Sequence, residues 1–165
     1  FGSQCIIVAI DAKKISSNKW EVFTHGGRKA TGIDVLNYVE EMNKLGAGEI
    51  LLTSVDREGT GEGTDIELIR QVNSNINIPL VVHGGIGSAE HAFAAIAERK
   101  MISGIAISSM LHYEHLINNR NIEGFEKEGN IEFLKSNRFY SRITPTALGV
   151  LKKALIKKNI DCRFG

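Results

Sequence analysis

Four short runs of apolar residues recur along the chain, largely without polar residues alternating into them. They are CIIVAI (residues 5–10), EILLTS (49–54), IPLVVH (78–83) and GIAIS (104–108). Unbroken Ile, Val and Leu over so short a run is the pattern of a strand covered on both faces, which is the habit of parallel sheets. Parallel neighbours need crossovers, and the intervening stretches have helical period. In DVLNYVEEMNKLGAG, Val35, Leu36, Val39, Met42 and Leu45 fall on one face, with Asp34 as N-cap and Gly46 as the stop. In TDIELIRQVNSN, Ile66, Leu68, Ile69 and Val72 align in the same way. SAEHAFAAIAERK has Ser88 as cap and Phe93, Ala94, Ile96 and Ala97 facing inward. A last helix, PTALGVLKKALIKKN, is expected to carry Pro145 near its first turn and to end in basic residues that suit its dipole.

The chain therefore reads as βα repeated four times. The first unit carries an insert at about 13–32, where KWEVFT alternates as a short extra hairpin strand. The fourth carries a longer insert at about 114–144, read as a surface excursion. Two architectures satisfy this order: a small doubly wound sheet, or half of a (βα)8 barrel. A full barrel needs about 250 residues, and this chain has 165. No dinucleotide fingerprint follows the first strand. A lone half-barrel is expected to expose an apolar sheet face and two unpaired edges, beside residues 5–10 and 104–108.

Composition excludes several function classes. Twenty basic against 19 acidic residues leave a net charge of +1, which gives no general attraction to nucleic acid or to an acidic membrane. No run reaches the ~18 apolar residues of a membrane helix. The two cysteines, Cys5 and Cys162, form no Cys-x-x-Cys, and Cys5 is expected in the core of a reduced, cytoplasmic protein. The five histidines show no metal-binding spacing, so neither a metal nor a cofactor is expected, and His112 and His115 read as surface or packing residues. The start lacks a basic leader and an initiator Met, so the chain reads as a piece of something longer.

In parallel α/β proteins the chemistry gathers where the strands end. The first run ends in Asp11, with Lys13 beyond it; the second ends in Thr53, Ser54 and Asp56, followed by Gly59, Gly61 and Gly63. The third ends in HGGIGS and the fourth in SSM. Gly84, Gly85 and Gly87 would let the backbone approach an anion, Ser88 opens a helix, and Ser108 and Ser109 precede another. Together they suggest a phosphate cradle. Asp11 is the candidate for general acid–base chemistry, or else a helix cap or an ion-pair partner of Lys13. Asp56 has the same placement, with Arg57 beside it as a possible structural partner.

FGSQCIIVAIDAKK, WEVFTHGGRKATG, LGAGEILLTSVDREGT, GGIGSAEHA and LHY, in this order, closely resemble the cyclase subunit of imidazole glycerol phosphate synthase. The resemblance covers residues 1–113 and returns weakly at LKKALIKKNIDCR. It implies an α/β fold, the C-terminal half of a (βα)8 TIM barrel, as one domain of four βα units with parallel strands. It also implies a lyase of histidine biosynthesis. Such an enzyme takes ammonia from a glutaminase partner and converts a bis-phosphorylated ribulosyl aminoimidazole into imidazole glycerol phosphate and an aminoimidazole carboxamide ribotide. Two aspartates serve as acid and base. Asp11 matches one, and the other belongs to an N-terminal half-barrel. The resemblance further implies that Gly59, Gly84, Gly85, Ser108 and Ser109 hold a substrate phosphate, that Glu49 lies near the ammonia entrance, and that Gln4 and Lys13 lie near the substrate or its loop, with Thr53 and Asp56 in support. Where the family usually has DRDGT, this chain has Glu58; His83 replaces a small Ser and Ser108 a common Ala. The second insert also suits relatives that channel ammonia to a sugar-modifying partner for surface polysaccharides. A third reading is a non-catalytic phosphate-binding half-barrel that self-associates.

Overall fold

The computed structural model describes residues 2–98, 101–118 and 142–163. A 3-10 turn (Ser3–Cys5) leads into β1 (Ile7–Ser16), β2 (Lys19–Thr24) and β3 (Lys29–Asp34). There follow α1 (Val35–Lys44), β4 (Glu49–Ser54), α2 (Ile66–Asn75), β5 (Leu80–His83), α3 (Ala89–Ala97), β6 (Ile102–Ala106), α4 (Ser109–Asn118) and α5 (Leu148–Ile156). One six-stranded sheet has the order β3-β2-β1-β4-β5-β6. β1, β4, β5 and β6 are parallel, while β1, β2 and β3 form antiparallel pairs. The parallel strands follow one another in chain order without the reversal that marks a doubly wound sheet. The fold is α/β, a partial TIM barrel made of four successive βα units.

Alternation along the strands separates two faces. Ile10, Ala12, Ile50, Leu52, Leu80 and Val82 point to the helical side, where they are buried with Val35 and Val39 of α1 and Leu68, Ile69 and Val72 of α2. Ile7, Ala9 and Asp11 of β1 point the other way, and Ile7 is 58% exposed. A second, smaller core joins Ile86, Ala92, Met110, Ile143, Leu151 and Leu155. The helix starts are fixed by their caps. Asp34 accepts N–H groups from Leu36 and Asn37 at 3.0 Å, and Ser88 accepts from His91 at 3.3 Å. Buried Asn73 joins α2 to the start of β6: its amide donates to the Glu98 carbonyl at 3.1 Å, and its side-chain oxygen accepts from Met101 N–H at 2.8 Å. Beside it, Arg70 grips Glu98 with two donors at 2.9 and 3.0 Å.

The structure corrects several expectations. β1 does not end at Asp11 but runs on to Ser16, because β2 pairs with it from Asp11 onward. The first insert is therefore a continuation of β1 plus a full hairpin, β2 and β3, that ends at the cap of α1. β1 is then open on its hairpin side only over residues 7–10, and the sheet margins are β3 and β6. Cys5 lies exposed in the 3-10 turn rather than in the core. Leu45 is 74% exposed, just past the end of α1. In α3 the buried residues are Ala92 and Ala95, whereas Ala94 and Ala97 face solvent. α5 begins at Leu148, so Pro145 precedes the helix instead of opening it. Residues 119–141 of the second insert lie outside the described residues. Its return is no surface excursion: Ile143 is 6% exposed, and Thr144 N–H donates to the Gly87 carbonyl at 2.7 Å.

Candidate active site

The strand registers set four residues side by side across the parallel sheet: Asp11 opposite Thr53, Thr53 opposite His83, and His83 opposite Ala106. All belong to the face turned away from the helices. One layer below stand Ala9, Leu51, Val81 and Gly104, and below these Ile7 and Glu49. In a barrel this face is the interior. Asp11 is half-buried, and among the described residues its carboxylate has no hydrogen-bond or ion-pair partner. The alternative pairing with Lys13 is not formed. The Lys13 ammonium instead lies 5.0 Å from the centre of the Phe23 ring, and Phe23 is opposite Asp11 on β2.

Beside this row the loops after β4, β5 and β6 enclose a pocket of about 130 Å3 lined by Glu58, Gly59, Gly61, His83, Gly84, Gly85, Ser108 and Ser109, with Ile86, Ala106, Ile107 and Ile143 as apolar walls. Of the cradle read from the residues, Gly84, Gly85, Ser108 and Ser109 line this pocket and Gly87 and Ser88 do not; Gly59, which the resemblance added, lines it too. Ser109 opens α4, so the free N–H groups of that helix's first turn stand at the wall. Hydrogen bonds between loops hold the pocket in shape. Gly63 N–H donates to the Gly85 carbonyl at 2.7 Å, and Gly87 N–H donates to His91 Nδ1 at 3.3 Å. α3 starts at the same place, where the Glu90 carboxyl is held below its usual range by hydrogen bonds from its own backbone N–H and from Ser88.

The other expected residues divide. Thr53 is buried, and its hydroxyl lies 3.5 Å from His83 Nδ1. Asp56 does not pair with Arg57. It accepts the Lys14 backbone N–H at 2.6 Å and so ties the loop after β4 to β1, while Arg57 pairs with Glu62 at 3.3 Å. Glu49 stands at the far end of β4 from Thr53. The structure does not bring Gln4 to the pocket end. It sits in the 3-10 turn against Gly48, at the Glu49 end of the sheet. Three contributors were missed: Ile143, which returns from the second insert; Arg142, which pairs with Glu62; and His91, which braces Gly87. Only His91 had a usable signal, its place in the first turn of a capped helix.

The glycines play different parts, and this decides which substitution tests the pocket. Gly85 (φ +87°) packs against Gly63, so an added side chain there would push the loops apart. Gly59 (φ +73°) has no atom within 4 Å of an added Cβ. Gly59→Val is expected to cost about 1–2 kcal/mol of backbone strain but to leave the loop contacts intact. If Gly59 approaches an anion, calorimetric affinity for inorganic phosphate should fall about 10-fold or more. Unchanged affinity would remove Gly59 from the site.

Among the described residues no group of three or more His, Cys, Asp or Glu converges to hold a metal ion, and no helix is long and apolar enough to cross a membrane. A carboxylate at the sheet mouth beside a glycine-lined pocket can transfer a proton on a ligand anchored by its anionic group. Every lining residue of the pocket except Ile143 falls inside one family match, and the chain belongs to the histidine biosynthesis protein family, a family of TIM-barrel enzymes, whose model matches residues 1–117.

Proposed function

We propose that this chain supplies the C-terminal half of a cyclase that uses ammonia to make imidazole glycerol phosphate and an aminoimidazole carboxamide ribotide. One observation carries the reading: Glu49 and Asp11 stand at opposite ends of one open sheet face, with the layer Ala9, Leu51, Val81 and Gly104 between them and the glycine pocket at the same end as Asp11, two strands along the row. Neutral ammonia needs no charged partner to cross an apolar layer, so a glutaminase docked at the Glu49 end would feed the Asp11 end. Asp11 would move the protons of ring closure and cleavage together with an aspartate from an N-terminal half-barrel. The pocket would hold one of the two phosphates of the substrate. The reaction belongs in the cytoplasm.

His83 favours a second reading. An imidazole in the pocket wall reshapes the phosphate seat, which suits delivery of ammonia to a different, sugar-based acceptor. The test supplies ammonium salts to the protein together with the remainder of the barrel and follows both products by chromatography. Turnover of the bis-phosphorylated aminoimidazole substrate, becoming glutamine-dependent once a glutaminase subunit is added, is the expected result. No turnover with ammonium present, but amination of a sugar acceptor, would replace the first reading by the second. Neither activity would leave a binding half-barrel.

A further inference from the structure

The pocket has an unusual charge balance for an anion site. Its lining includes one carboxylate, Glu58, and no lysine or arginine. Arg57 and Arg142, on the segments that frame it, are both engaged by Glu62. Asp56 is occupied by the Lys14 N–H, and Asp11 lies two strands along the same row. A phosphate entering here would face Glu58, and besides the Ser108 and Ser109 hydroxyls the lining offers one ring N–H donor, His83. That ring is fixed by its strand: His83 is the last residue of β5, directly between Thr53 and Ala106. The Thr53 hydroxyl lies on the Nδ1 side at 3.5 Å. With that hydroxyl donating to Nδ1, the proton of the ring is on Nε2.

We infer that His83 is a ligand-binding residue of this pocket, donating Nε2–H to a phosphate oxygen, so that the imidazole sets the affinity and specificity of the seat. The inference rests on the phosphate reading of the pocket and adds to it a residue that fixes which anion is accepted. A doubly charged phosphate monoester gains most from such a charge-assisted hydrogen bond.

The test titrates inorganic phosphate by calorimetry into the unmodified chain, His83→Ser, His83→Gln and Gly59→Val, with thermal unfolding to confirm that each is folded. His83→Ser is expected to weaken binding about 10-fold or more, as for loss of a hydrogen bond to a charged group. His83→Gln, whose amide nitrogen reaches the Nε2 position, should recover part of the loss. In the unmodified chain, phosphate should shift the 15N resonance of His83 Nε2. Loss in His83→Ser with partial recovery in His83→Gln supports the inference, and if His83→Ser fails to fold, the His83→Gln affinity and the nitrogen shift decide it. If Gly59→Val loses binding while both His83 variants bind as the unmodified chain does, His83 is no ligand residue and the phosphate pocket stands. If the unmodified chain binds no phosphate and the His83 resonance does not move, the pocket reading falls and this inference with it.

Discussion

Asp11→Asn should reduce turnover of the assembled enzyme by roughly 10²-fold or more while leaving it folded and able to bind phosphate. The substitution keeps the shape of the side chain and removes its capacity to take up a proton. The structure isolates the effect well. Among the described residues the Asp11 carboxylate holds no structural partner, so no cap, ion pair or buried hydrogen bond is lost with it. Asp56 makes the opposite case. Its carboxylate anchors the Lys14 N–H, so Asp56→Asn should show itself in loop stability as well as in rate. A factor of 10² corresponds to about 2.7 kcal/mol of transition-state stabilisation. Steady-state rates and phosphate calorimetry on the same Asp11→Asn sample check the result. Turnover within a few-fold of the parent would remove Asp11 from the chemistry.

The largest stability effect is expected at Trp20. It is 1% exposed, inside the main core, and its indole N–H donates to Asp65 Oδ2 at 2.8 Å. The other oxygen of Asp65 accepts the Leu68 N–H at 3.1 Å and caps α2. One tryptophan thus fills the space beneath the hairpin and orients the carboxylate that starts a helix forty-five positions along. Trp20→Ala should cost about 3–5 kcal/mol, a large share of the roughly 5–15 kcal/mol that holds a domain together. Trp20→Phe keeps most of the packing and loses only the donor, so about 1–3 kcal/mol is expected. Urea unfolding of the two variants separates packing from hydrogen bond. A Trp20→Phe loss as large as that of Trp20→Ala would show that the Asp65 contact, and not the volume of the ring, dominates.

How much of this was legible depended on whether a segment is buried. The run at 49–54 became β4 without change, because Ile50 and Leu52 face the helices and Thr53 is also covered. KWEVFT likewise became β2, since Trp20 and Val22 alternate inward. β3 escaped notice because none of Lys29, Ala30, Thr31, Gly32 and Ile33 is buried, so no hydrophobic period marks it. The same holds for β1 beyond Lys13, where pairing with β2 and not burial extends the strand. The pocket was readable because glycines with positive φ punctuate strand ends, and local sequence records that need. Ile143 was not readable: it reaches the pocket from far along the chain, and nothing near it in sequence says where it lands. Gln4 failed for a related reason, since likeness in sequence does not say at which end of a strand a neighbouring turn will sit.

The hairpin described above also makes the sheet unequal at its two margins. β3, the outer strand on one side, is exposed from Lys29 to Ile33 and carries Lys29, Asp34 and a glycine at φ +75° that breaks its extended line. Such an edge offers a poor template to another chain, by the same devices that keep β proteins from clumping. β6 at the other margin has only Ser103 and Gly104 between its isoleucines and neither a charge nor a proline. Growth of this sheet is therefore directional. A further strand, whether the proper continuation of the barrel or a stray misfolded neighbour, finds its full-length berth beside β6, and on the opposite side only the short stretch of β1 at residues 7–10 that the hairpin leaves uncovered.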